Sequence, residues 1–167
     1  RLNMELSRKI AAEITKYAAE YQAGVIVFEY LEMQGKISGK KKQKLHLWRK
    51  RDIQKLCEHQ AHRNGIRVSM VSARNTSRLA CDGSGAVVRN QENHSLCTFR
   101  TGKQYNCDLS ASYNIGARYF IRELLKPLPE TERSSLEAKV PAVKRRTSCV
   151  YADLRKLYVE VNNLKAA

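Results

Sequence analysis

Acidic residues are scarce in this sequence. Against 31 Lys and Arg there are 16 Asp and Glu, and residues 1–28 contain no Asp at all. No apolar run approaches the roughly 20 residues a membrane-spanning helix needs, and no signal-peptide pattern opens the chain. Five cysteines is an odd number. Without a secretory signal they read as reduced thiols or metal ligands, not as disulfides. These shortages point to a soluble protein of the reducing cytoplasm with no membrane partner.

What is plentiful is positive charge. A formal charge of +15 and a pI of about 9.8 call for a polyanionic partner, nucleic acid first among them. With 167 residues the chain is long enough for one domain with a real core and an appendage.

Residues 4–22 place Leu6, Ile10, Ala11, Ile14, Tyr17, Ala18 and Tyr21 on one helical face. Ala23-Gly24 should end that helix, with glycine supplying a positive φ. Val25-Ile26-Val27-Phe28 then reads as a central strand covered on both faces. Glu29 closes it, and a carboxylate behind four apolar residues must be paired, protonated or metal-bound unless it escapes to solvent. Between Lys36 and Arg51 stand eight basic residues and no acid. This stretch holds Lys40, Lys41, Lys42, Lys44, Arg49, Lys50 and Arg51. It suits a phosphate backbone or a solvated loop. Trp48 either stacks on a base or anchors the following helix together with Leu45, Asp52, Leu56 and Gln60. That helix should stop at Asn64-Gly65, and Ile66, Val68 and Met70 then alternate as in a strand. His46, His59 and His62 have no partner placed to make a metal site. Helix, strand, helix, strand gives an α/β layer.

From Leu109, the residues Tyr113, Ala117, Phe120 and Leu124 recur at helical spacing, with Asp108 at the threshold. Asp108 is then either an N-cap or something more, and Asn114 either supports it or is a surface amide. Pro127 and Pro129 should end this helix. Ser134 and Glu137 suggest a capping box, and Val150, Leu154, Leu157, Tyr158, Val161 and Leu164 suggest a packed C-terminal helix after Lys144-Arg145-Arg146.

Three of these stretches carry a resemblance. Asp108-Leu-Ser-Ala-Ser-Tyr-Asn-Ile115 resembles the D-x-N-A-A-x-N-I element of the RuvC-like nuclease domain in TnpB-type, transposon-associated RNA-guided nucleases and type V CRISPR effectors, with Ser110 where the family has its first Asn. VIVFEYL resembles the strand bearing the family's second catalytic acid. Asn75-Thr-Ser-Arg78 followed by Cys81 resembles the passage into an inserted zinc ribbon. The resemblance implies an RNase H-like α/β fold: a core over 1–74, a degenerate zinc-ribbon insert over 75–106, a final RuvC-like helix over 107–126, and a helical tail over 127–167. It implies Glu29 and Asp108 as ligands of Mg2+ or Mn2+, and DNA and a guide RNA as partners. Arg78 is either a contact to the scissile phosphate, whose oxygens a guanidinium matches bidentately, or a surface arginine; Ser77 and Thr76 either donate to a phosphate or cap a turn, and Asn75 is a further candidate nucleic-acid contact. Two of the ribbon's four cysteine positions are occupied here by Ser84 and Arg100. Cys81, Cys97 and Cys107 therefore leave a zinc site incomplete unless His94 joins them, and a metal-free knuckle is the expected state. The family's first aspartate has no counterpart in residues 1–28. Either an upstream part of the same protein supplies it or catalysis has been lost.

Overall fold

A computed structural model describes residues 2–30 and 50–166. These fall into two compact units, one formed by residues 2–28 with 50–70 and the other by 29–30 with 71–166.

In the first unit, helix α1 (Leu2–Glu20) packs on helix α2 (Lys50–Arg63). Of the expected apolar face of α1, only Ala11 and Ala18 are buried. Leu6, Ile10, Tyr17 and Tyr21 are exposed, and the buried row is Ser7, Ala11, Thr15 and Ala18. Small residues let two backbones approach, and the two hydroxyls remain satisfied within the helix: Ser7 donates to the Asn3 carbonyl at 2.9 Å and Thr15 to the Ala11 carbonyl at 2.8 Å. On α2 the buried residues are Gln54, Cys57 and Ala61, one step round from the expected Asp52, Leu56, Gln60 line. The left-handed residue ending α1 is Gln22 (φ 52°), not Gly24, and the Ala23 amide reaches back to the Ala18 carbonyl. Gly65 does turn left-handed after α2 (φ 67°), as Asn64-Gly65 suggested.

Strands β1 (Val25–Tyr30) and β2 (Arg67–Ser72) form a two-stranded sheet. The Arg67 amide donates to the Gly24 carbonyl and the Ala73 amide to the Tyr30 carbonyl. The constant offset between the bonded positions makes the pair parallel. Among the described residues β1 has β2 as its one neighbour and is half-buried along Val25–Glu29, so it is not the doubly covered central strand expected. Glu29 lies within β1, not after it.

The second unit continues through a three-stranded antiparallel sheet of β3 (Val88–Arg89), β4 (Leu96–Thr98) and β5 (Gln104–Asn106), in that order. Gly102, at φ 83° in the β4–β5 turn, adopts a backbone that residues with a Cβ rarely take. Helix α3 (Cys107–Leu125), helix α4 (Glu130–Lys139), a 3-10 turn (Pro141–Lys144) and helix α5 (Tyr151–Ala166) follow. Ile121, Leu125, Leu136, Val143, Leu157 and Val161 build the core between them. The packed C-terminal helix is present. The Ser134–Glu137 capping box is not, because both residues lie inside α4, whose N-cap is Pro129.

No helix among the described residues is long and apolar enough to cross a membrane.

Candidate functional site

Helix α3 sets the geometry, and it does so with a polar face. Leu109, Tyr113 and Phe120 are 45%, 41% and 51% exposed, while Ser110, Asn114 and Arg118 are buried with Ala117 and Ile121. The i, i+4, i+8 row of Ser, Asn and Arg turns inward because the backbone around it supplies partners. The Cys81 amide donates to the Ser110 hydroxyl at 3.1 Å.

Asn114 is neither a surface amide nor a support for Asp108. Its Nδ2 donates to the carbonyls of Thr76 (3.0 Å) and Leu79 (2.8 Å), and its Oδ1 accepts from the Tyr151 amide at 3.1 Å. One fully buried side chain thus fixes the 76–79 loop and the start of α5 against α3. One turn on, Arg118 donates from Nε to the Cys149 carbonyl (3.1 Å) and from Nη1 to the carbonyls of Ser72 (2.6 Å) and Arg74 (2.7 Å). Its Nη2 has no hydrogen-bond partner. Burial pulls this guanidinium down from its ordinary value, while the Cys149 thiol and the Glu29 carboxylate act the other way. Arg118 escaped the sequence reading. The polar row 110, 114, 118 was the available signal.

Glu29 is half-buried near the end of β1. The Thr76 hydroxyl lies 3.0 Å from its Oε2 and 2.9 Å from the Ala73 carbonyl. A hydroxyl has one proton to give, so Glu29 and Ala73 share it. Thr76 is itself buried, and its carbonyl is held by Asn114. A continuous set of bonds therefore runs from the β1 carboxylate through Thr76 to α3.

Asp108 lies in the first turn of α3 and is exposed. It is not the N-cap. Asn106 holds that position, its Oδ1 accepting from the amides of Asp108 (3.0 Å) and Leu109 (2.9 Å). With the capping done by its neighbour, the Asp108 carboxylate makes no hydrogen bond or ion pair among the described residues. It precedes Asn114 by six residues, about 9 Å along the helix axis, on the i+3, i+4 row that continues through Ala111 and Ile115 to Arg118.

Of the other expected contacts, Ser77 and Arg78 are exposed. Asn75 has a left-handed backbone (φ 63°), and its carbonyl accepts from the amides of Arg78 and Leu79. Lys50 and Arg51 open α2. Lys40, Lys41, Lys42, Lys44, Trp48, Arg49, Leu45 and His46 lie outside the described residues. His59 and His62 are exposed on α2.

No protein-family model matches this chain, and no curated protein does. Among solved structures it is similar to a chain of the Cas12f1–sgRNA–target DNA complex determined by cryo-EM. The likeness has 21% identity and a TM-score of 0.48, and it covers 69% of this chain and 33% of that one. The present chain thus spans about a third of the length of that relative.

The cysteines expected as zinc donors, Cys81, Cys97 and Cys107, share one buried cluster with Ala80 and Phe99. All are free thiols. Cys97 donates from Sγ to the Tyr105 carbonyl, and His94 is exposed. Among the described residues no three His, Cys, Asp or Glu side chains are gathered as a metal cage. Burial, with Cys107 close by, pushes the Cys97 thiol up to about 11, and burial does the same to Cys149.

A pH dependence follows. In the unfolded chain these thiols lose their protons near 9.0, and in the native protein near 11. Between those values the native state binds more protons, so stability falls as pH rises through that window. The melting temperature should drop from pH 8.5 to 10.5, and less steeply in Cys149→Ala, measured by circular dichroism. Equal slopes in the two proteins would refute the assignment.

Proposed function

We propose that this chain is the C-terminal part of a RuvC-like domain of an RNA-guided DNA endonuclease, with Glu29 and Asp108 as ligands of a divalent cation. The observation that carries the proposal is the bonded link from Glu29 through Thr76 to Asn114. It joins the VIVFEYL strand to the DLSASYNI helix, two segments distant in sequence that resemble catalytic elements of the same family.

The donors suit magnesium or manganese. Both carboxylates offer hard oxygen ligands, and magnesium characteristically takes one or two carboxylates, substrate phosphates and its own waters. A bound ion would supply charge stabilisation at the phosphoryl oxygens and a more acidic water. The chain's own residues position these groups. Thr76 restrains one Glu29 oxygen, Asn106 frees Asp108 from capping, and Arg78, exposed beside the Asn75 turn, offers a planar guanidinium that matches phosphate oxygens bidentately. The basic run from Lys40 to Arg51, with Trp48, Asn75 and Ser77, takes the backbones of DNA and guide RNA. A third carboxylate comes from an upstream part of the protein.

A second reading rests on that missing acid. With no Asp in residues 1–28, a chain lacking the upstream carboxylate binds nucleic acid or recruits a partner without cutting. One experiment separates the two. In the complete protein, Glu29→Ala and Asp108→Ala should each abolish magnesium-dependent DNA cleavage while leaving nucleic-acid affinity nearly intact. Cleavage that survives either substitution rejects the nuclease assignment, and a complete protein that never cleaves leaves the binding module.

A further inference from the structure

At the far end of α3 from Asp108, the helix, α4 and the loop after the 3-10 turn border a pocket of about 410 Å³, lined by Arg122, Glu123, Lys126, Arg133 and Arg146. Four cations thus face one carboxylate. Glu123 is spent on Arg122, with Nε to Oε1 at 3.0 Å, and Glu130 on Arg133, with Nη1 to Oε2 at 3.3 Å. Lys126 and Arg146 are exposed and have no carboxylate partner among the described residues. Lys144 and Arg145, both exposed, extend the positive surface beside Arg146.

The helix end accounts for part of this. Cations near a C-terminus are favoured by the helix dipole, and Lys126 sits at the C-cap of α3. The dipole does not explain Arg146, which comes from another segment, or Arg133, which comes from α4. It also leaves unexplained the Arg133 Nε, a buried donor with no acceptor. Like charges drawn from three segments repel one another, and an orphaned donor is unfavourable. One oxyanion in the pocket relieves both.

We propose that this pocket binds a phosphate of a nucleic-acid backbone, as an anchoring site separate from the Glu29 and Asp108 region. The inference rests on the reading above for its partner, nucleic acid, and not for its chemistry. Arg122 follows Asp108 by fourteen residues of one helix, on the order of 21 Å along the axis. At 3.4 Å per nucleotide of a duplex strand, that is about six nucleotides. One backbone can therefore occupy both ends of α3, held at the basic end and presented to Asp108 at the other.

The test is binding of the chain to a fluorescein-labelled DNA duplex in EDTA, where no cleavage can occur, over a series of salt concentrations. Lys126→Glu/Arg146→Glu is compared with Lys9→Glu/Lys165→Glu, which reverses the same number of exposed charges elsewhere. Losing two phosphate contacts should lower affinity tenfold or more at about 0.1 M salt and make the log–log salt slope shallower by about two. The control pair should leave the slope almost unchanged. In the unmodified chain, the Arg133 Nε–H resonance should shift when duplex is added. Equal losses in both double variants would mean that only net charge matters, and an unmoved Arg133 resonance would mean that the pocket stays empty; either overturns the proposal. Binding retained on DNA but lost on phosphatidylserine vesicles in the Lys126→Glu/Arg146→Glu variant would overturn it in favour of a lipid phosphate. Because the assay needs no catalysis, its failure and the failure of the nuclease reading are told apart.

Discussion

Asn114→Ala should remove a large share of the stability of the second unit, roughly 3–6 kcal/mol. The truncation strands three buried backbone groups at once: the Thr76 and Leu79 carbonyls and the Tyr151 amide. Each orphan is worth about 1–3 kcal/mol, the Leu79 and Tyr151 groups nearer the low end because their bonds are only partly buried, and burial of Asn114 keeps water from replacing the amide. Against a total stability of about 5–15 kcal/mol for a typical protein, that is enough to leave an appreciable unfolded fraction. Asn114→Asp sharpens the test. The carboxylate keeps an acceptor for Tyr151 but loses both donors and places a negative charge against two carbonyl oxygens, so it should be at least as damaging as alanine. Urea denaturation followed by circular dichroism measures both. A loss below about 1 kcal/mol for alanine would mean that the 76–79 loop is held by something else.

Arg118→Met is expected to cost about 3 kcal/mol, and here two effects oppose each other. Removing a buried guanidinium relieves its desolvation and the orphaned Nη2. It also strands the carbonyls of Ser72, Arg74 and Cys149 and takes away the cation that Glu29 faces. A hydrogen bond from a charged donor is worth about 1.5–3 kcal/mol, and three carbonyls lose one, so the loss outweighs the relief. Lysine should recover little, since a single ammonium cannot reproduce a planar fork that serves carbonyls in two directions. Hydrogen exchange gives a second readout: the Thr76 amide, which donates to the Ala73 carbonyl, should exchange faster in Arg118→Met. If it keeps its native protection, Arg118 is not what shapes the turn beneath Glu29.

Punctuation in the sequence was legible. Asn64-Gly65 stops α2 and Pro127 follows the end of α3, because glycine and proline act through local backbone rules that need no tertiary partner. Which face of each helix turns inward was only partly legible for α1 and α3, where Ala11, Ala18 and Ala117 are the buried members of the expected faces. Apolar spacing assumes that large hydrophobes go inside. In α1 the contact is a row of small and hydroxyl residues, and Tyr17 and Tyr21 stack on each other outside, with ring centroids 4.5 Å apart. In α3 the inward row is polar because carbonyls from two distant segments wait there, and no local pattern encodes carbonyls that arrive from residues 72–79 and 149. The same reason hid the part played by Asn114 and Arg118. Glu29 and Asp108 could be chosen from the sequence because they stand in motifs, whereas the bond from Thr76 to Glu29 became visible only once the chain was folded.

The Asn114 amide also bears on how this protein can vary. It clamps Leu79 just before the small antiparallel sheet begins, Ser110 receives the Cys81 amide, and Asn106 closes the far side by starting α3. The segment between those clasps leaves and rejoins the same helix, and it also bonds back to the loop beside Thr76, Val87 donating to the Arg78 carbonyl, and to the start of α5, Ala152 donating to the Cys81 carbonyl. A change of length confined to the β3–β4 turn, beyond those bonds, should therefore leave Glu29 undisturbed.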